Sequence, residues 1–245
     1  DTSRAESLPG VRAVATYKNT PQTRFNSALR FIEHKIPNTE RIFDDTVRFV
    51  GDRVAAVAAD TLEIAQEAVK LIQVEYEELP VMMTVEEAIK EDAYPIHEGG
   101  NIVGQAHVEA GDVDKALEEC DYVFEDRFTT QPIHHAAVEP HVAIADWSYD
   151  DKLTIYSPSQ NTFGFRVILS QIFNLPYNRI RMSAPAIGGA FGGKLEMTVE
   201  PVAAVLSKMT RRPVKLEYTR RECIFGTRVR HGSIACIKTG FMKDG

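Results

Sequence analysis

Three cysteines in 245 residues, Cys120, Cys223 and Cys236, are too few and too widely spaced for a disulfide framework or a paired CxxC metal site, and they fit a reducing compartment. No apolar run approaches the length of a membrane span. The amino end carries no signal peptide, so a cytoplasmic location is the expectation. Positive charge is short: 28 Lys and Arg against 35 Asp and Glu leave a net charge of −7, which argues against a general nucleic-acid or membrane surface. The chain also lacks an initiating Met, opening at Asp1, and it stops on the turn-like Met242-Lys243-Asp244-Gly245. A piece of a longer polypeptide is expected.

What remains is an ordinary globular composition, 44% hydrophobic and 26% charged, long enough for one large domain or two smaller ones. One stretch stands out: Ala186-Ile187-Gly188-Gly189-Ala190-Phe191-Gly192-Gly193-Lys194, between a strand-like run ending at Met182 and a helical run starting near Glu196. Glycine is tolerated where φ is positive or where a side chain would block a close approach. Consecutive amides leading into a helix N-terminus can face a phosphate or an oxyanion, and Lys194 would add to that field. The spacing from Gly188 to Lys194 matches a P-loop, but Leu195 replaces the hydroxyl that would hold Mg²⁺. The dinucleotide pattern G-x-G-x-x-G is not met either.

Along the chain, residues 11–16 and 54–58 read as strands, with Gly51-Asp52 as the turn before the second. Leu62, Ala65, Ala68, Val69 and Ile72 recur at helical spacing behind Asp60 or Thr61 as cap. Residues 74–76 return to strand character. Thr84 with Glu87 has the form of a capping box and predicts a short helix to Lys90. The acidic runs at 75–78 and 86–92 are read as solvated faces, and His34 and His97 as surface or packing histidines. A capped helix follows from Gly111-Asp112, then a strand over 121–128, a hairpin of 142–147 with 153–156, and a helix capped by Asn161. A strand over 179–182, a helix over 199–209 and a strand over 214–219 complete an α+β region followed by a mixed α/β region. The boundary falls at about 105–120.

Three histidines and a carboxylate crowd the segment Gln131-Pro132-Ile133-His134-His135-Ala136-Ala137-Val138-Glu139-Pro140-His141. Their spacing does not give the i, i+4 pair of a helical zinc site, and Pro140 opposes a helix. The favoured reading is a buried polar turn in which Glu139 accepts hydrogen bonds and fixes a neighbouring loop.

The stretch 184–194 closely resembles the glycine loop of the xanthine oxidase family of molybdenum hydroxylases, in their molybdopterin-binding large subunit. Leu8-Pro9-Gly10-Val11, Phe49-Val50-Gly51-Asp52-Arg53-Val54-Ala55, the 134–141 segment and Arg212-Pro213-Val214-Lys215-Leu216 with Thr219-Arg220 match in the same order. The resemblance implies a hammerhead-like α+β domain over 1–110, truncated at its amino end. It implies the first part of a molybdopterin-binding domain over 111–245. It places Gly188, Gly189, Ala190, Phe191 and Gly192 against the cofactor and the Phe191 ring against an aromatic substrate. A glutamine that reaches the metal's oxo ligand in relatives aligns with Ile133, so Gln131 is the candidate only if the register shifts. Arg230 falls where purine-oxidising relatives carry a substrate-polarising arginine, the competing reading being that Arg228, Arg230 and His231 form an exposed basic strand. Those relatives also carry a glutamate after the loop lysine, where this chain has Leu195, with Glu196 one place on along the helix, so xanthine is not the expected substrate.

The implied cofactor is molybdopterin with molybdenum, or its cytosine dinucleotide form, held without metal-ligating side chains from this chain. Iron–sulfur clusters and FAD would sit on partner subunits or domains, in an oligomeric parent enzyme acting on a heterocycle or aldehyde. The family's base glutamate lies beyond residue 245, so this stretch alone is expected to be inactive and cofactor-free. The alternatives are a phosphate- or nucleotide-binding module and a non-catalytic structural subunit.

Overall fold

The structure, a computed structural model, describes residues 1–28 and 37–244. His34 lies outside the described residues.

The chain starts with α1 (Ser3–Glu6) and β1 (Val11–Thr16) and returns as β2 (Ala55–Ala59), antiparallel to β1. α2 (Leu62–Leu71) follows, its first turn closed by the Thr61 side chain accepting from the Ile64 amide. Ala5, Val14 and Ala68 are buried together where α1 and α2 cover one face of this small sheet. Residues 74–76, expected as a strand, form none. Val74 and Tyr76 are exposed, and among the described residues no neighbouring strand offers them a ladder. The box at Thr84 and Glu87 does form, on α3 (Val85–Ala88), which ends before Lys90. Asp112 caps α4 (Val113–Glu118) through the Lys115 amide.

β3 (Tyr122–Thr130) leads into the second region, where β4 (Val142–Trp147) and β5 (Leu153–Tyr156) make the expected hairpin. α5 (Thr162–Phe173) is capped by Asn161 accepting from Gly164. β6 (Ile180–Ser183) precedes the glycine loop, and α6 (Glu200–Thr210) follows it. The helix therefore begins at Glu200, not near Glu196, and the glycine loop does not run directly into its N-terminus. β7 (Val214–Glu217), α7 (Arg220–Gly226) and β8 (Ser233–Phe241) finish the described chain. The helix α7 goes beyond the sequence expectation, although Thr219 and Glu222 form a complete capping box at its start. β8 pairs with β3 along nine residues, Tyr122↔Phe241 to Thr130↔Ser233, as a two-stranded ribbon.

The four-stranded sheet runs β6-β5-β4-β7, with β4 antiparallel to both β5 and β7 and β5 parallel to β6. This arrangement brings the carboxyl ends of β5, β6 and β7 and the amino end of β4 to one edge. Beneath the sheet, α6 is buried continuously from Glu200 to Ser207, as expected of a helix covered on all sides. It touches β4 on one side and β1 and β2 on another. One core therefore takes in Ala15, Phe25, Ile42 and Phe43 from the first region together with Trp147, Ile155 and Leu169 from the second.

Candidate functional site

At that common sheet edge the glycine loop leaves β6 and lies against the histidine-rich turn that enters β4. The two segments are joined three times through Glu139. Its amide donates to the Gly188 carbonyl at 3.1 Å, and its Oε2 accepts from the Gly188 amide at 2.9 Å. The same oxygen accepts from Lys194 Nζ at 2.6 Å. Lys194 has a side chain only 3% exposed, so it does not present its charge to a ligand outside the loop. That corrects the expectation that Lys194 would add to an anion-attracting field, and it removes the phosphate-binding lysine that a P-loop reading needs. Burial works to raise the Glu139 pKa, but the Lys194 ammonium and the Gly188 amide outweigh it, and the carboxyl titrates below its usual range.

The expected polar turn around Glu139 is therefore present, and it is braced from other elements. His141 Nε2 donates to the Gly193 carbonyl at 2.9 Å, while its Nδ1 is buried without a partner. Burial keeps this imidazole neutral, with its pKa lowered. His134 accepts from the Ala136 amide at Nδ1, so its Nε2 carries the proton and donates to the Cys223 carbonyl at 2.9 Å. Arg220, at the start of α7, donates to the carbonyls of Ala137 at 2.7 Å and Val138 at 2.6 Å. These side chains are spent on internal hydrogen bonds. Among the described residues no group of three or more His, Cys, Asp or Glu side chains is arranged to hold a metal ion.

The glycines serve two needs. A Cβ on Gly188 would stand 2.7 Å from Glu139 Cβ, and one on Gly193 would stand 3.0 Å from the His135 ring. Those two positions are side-chain-poor because the loop is pressed on the turn below. Gly189 and Gly192 instead adopt φ of +97° and +89°, a region that disfavours other residues. Phe191 between them is also left-handed, at φ +52°, and the residue is 74% exposed.

The space enclosed between loop and turn is about 10 Å³, at or below what one water needs, so a ligand must lie on the outer side. Among the described residues no acceptor meets the amides of Gly189, Ala190, Phe191 or Gly192, although Ala190 itself is buried. Unpartnered donors in a glycine-rich loop suit an anionic group that approaches main chain closely.

The remaining candidates lie just beyond the ends of β3 and β8, around an isolated bridge. Ile133 and Arg230 exchange backbone hydrogen bonds at 2.9 Å, which sets Arg230 beside the position where a glutamine was expected. Arg230 and Gln131 are both exposed. The expected basic strand over 228–231 is not formed. Arg228 is held by Glu40 at 2.7 Å and Glu196 at 2.8 Å, and β8 starts only at Ser233. Glu196 lies in the loop before α6, so no helical offset sets its direction. Missed by sequence reasoning was Glu200, which is fully buried, accepting from Ser157 Oγ at 2.6 Å and from the Thr198 amide at 2.8 Å.

Residues 96–245 match a family model described as the molybdopterin cofactor-binding domain, and residues 1–80 match the hammerhead domain of aldehyde oxidase and xanthine dehydrogenase. The chain belongs to the aldehyde oxidase and xanthine dehydrogenase family. It is 39% identical over 240 residues to a probable xanthine dehydrogenase subunit of Bacillus subtilis, covering 98% of this chain and 31% of that one. It is 36% identical to the nicotinate dehydrogenase large molybdopterin subunit of Eubacterium barkeri, covering 100% of this chain and 56% of that one. Among solved structures, the aldehyde oxidoreductase from Desulfovibrio gigas superimposes with a TM-score of 0.92 at 31% identity, over 100% of this chain and 28% of that one. The chain thus spans only part of these two curated relatives, 31% of one and 56% of the other. This family is one of molybdopterin-dependent oxidoreductases, and unpartnered amides on a loop pinned to the turn fit a main-chain cradle for that cofactor.

Proposed function

We propose that this chain is part of a longer molybdenum hydroxylase subunit that oxidises an aromatic heterocycle or an aldehyde and passes electrons to iron–sulfur and flavin centres on partner subunits or domains. Within it, residues 1–110 form the hammerhead-like unit and residues 111–245 the first part of the cofactor-binding unit. The observation that carries the reading is the set of unpartnered amides at 189–192 beside the exposed Phe191 ring.

When bound, molybdopterin, whether simple or as a cytosine dinucleotide, supplies the metal-centred redox chemistry. This chain supplies placement. The backbone at Gly188, Gly189, Ala190, Phe191 and Gly192 would hold the cofactor, with the unpartnered amides at 189–192 as donors to its anionic groups, and Gln131 would be its side-chain candidate contact. The Phe191 ring gives a flat substrate a surface to lie on, worth about 0.5–1.5 kcal/mol beyond burial. The Arg230 guanidinium can pair with a substrate carbonyl or carboxylate. Leu195, in place of an acidic residue, disfavours xanthine. The proton-abstracting glutamate is assigned to the chain beyond residue 245.

A phosphate-binding module is disfavoured because Lys194 is turned inward onto Glu139. Metal analysis of the purified full-length polypeptide with its partners tests the reading. Molybdenum near one atom per subunit is expected, and its absence from folded, reconstituted enzyme would refute it.

A further inference from the structure

Glu139 and Lys194 stand out because one carboxylate oxygen reaches both ends of the glycine loop. Glu139 Oε2 takes the amide of Gly188 at 2.9 Å and the ammonium of Lys194 at 2.6 Å, so the residues that open and close the 188–194 stretch are drawn to a single atom. The Glu139 amide adds a return bond to the Gly188 carbonyl. On the far side His141 holds the Gly193 carbonyl, and the Lys194 backbone is held at both its amide and its carbonyl by Gln160. Between these anchors the amides of residues 189–192 have no acceptor among the described residues.

We infer that the Glu139–Lys194 ion pair is a positioning device that sets the spacing of the 189–192 amides, and that cofactor retention depends on it although neither side chain touches the cofactor. This rests on the functional reading above. Two physical points support it. Lys194 is nearly fully buried, and an ammonium in that position must be paired, so the loop cannot relax without exposing or stranding it. In addition, the carboxylate is fixed from a different segment from the loop, through a turn that Arg220 ties to α7. The loop thus inherits its geometry from the sheet edge rather than from its own backbone. Residues that hold a ligand-binding group in place, without binding the ligand, commonly change affinity by roughly 10- to 100-fold when altered.

The test uses the full-length enzyme with its partners and compares Lys194→Met, Glu139→Gln and the double variant. The double variant carries no buried charge, so its melting temperature is expected to recover toward wild type, since a removed pair is tolerated better than a stranded partner. Its molybdenum content per folded subunit is expected to stay low, by roughly tenfold or more after dialysis, because one carboxamide cannot draw both loop ends together. The electron paramagnetic resonance spectrum of any residual reduced metal is expected to shift. Recovery of both melting temperature and molybdenum in the double variant would show a stabilising pair only and would overturn the inference. Unchanged molybdenum and spectrum in a folded Lys194→Met protein would overturn it as well. A wild-type enzyme without molybdenum would instead defeat the functional reading. Should Lys194→Met fail to fold, the double variant and Glu139→Gln still decide.

Discussion

Single atoms decide the loop. At Gly188 the missing Cβ would sit 2.7 Å from Glu139 Cβ, so Gly188→Ala must push the loop off the turn. A cost of about 1–3 kcal/mol is expected, as for other overpacked sites, together with loss of bound molybdenum in the full-length enzyme. Thermal denaturation and metal analysis check both. Phe191 gives the opposite pattern. The residue is 74% exposed, so Phe191→Ala is expected to leave stability within about 0.5 kcal/mol of wild type. Activity toward an aromatic heterocycle should fall by about 2- to 10-fold in kcat/KM, matching the stacking increment, with a smaller change toward a non-aromatic aldehyde. Steady-state kinetics on both substrates separate these outcomes. The glycine pattern in the sequence announces a close approach, yet not toward what. Gly188 and Gly193 are small because of Glu139 and His135 beneath them, partners from another segment that no local spacing reveals.

Elements report on the site through their ends. α7 begins with a Thr219 side chain that accepts from the Glu222 amide, and its first residue, Arg220, grips the carbonyls of Ala137 and Val138. Thr219→Ala removes the cap and is expected to cost about 1 kcal/mol. The hydrogen exchange of the 137–141 turn should rise while that of the β4–β5 hairpin stays unchanged; equal exchange in both would contradict the coupling. That capping box is written in the sequence as clearly as the one at Thr84, but a strand reading carried through Thr219 hides it. Strands fare by their company. β1, β4 and β5 follow from alternation and turn residues because each finds a partner strand, whereas Val74-Glu75-Tyr76 has strand composition and, among the described residues, no neighbour to pair with. The mixed α/β character and the position of the loop after β6 are legible. The convergence of β4, β5, β6 and β7 on one edge depends on pairings distant in sequence, and it is not.

At the scale of the whole molecule, the buried acid Glu200 ties protonation to folding. Burial drives the Glu200 pKa above its ordinary 4.5, against the hydrogen bonds from Ser157 and the Thr198 amide that favour the charged form. The folded state therefore holds this proton more tightly than the unfolded chain does. Its contribution is fully present below about 4.5 and is lost as pH rises through the folded value. Glu200→Gln has no such proton to lose, so its stability relative to wild type is expected to improve as pH is raised from 4.5 toward neutrality. Denaturant titrations across that range test the sign, and a relative stability that falls with rising pH would reject it.

α6 is clasped by β4 on one flank and by β1 and β2 on another, and Gly51 lies against the backbone of Phe225 with no room for a side chain. Two stretches recognised by separate family models therefore share a single interior. An evolutionary or laboratory exchange of the first 80 residues between relatives could not treat them as a detachable cassette. The graft would have to bring a matching central helix with it, or leave both halves holding a seam that no longer closes.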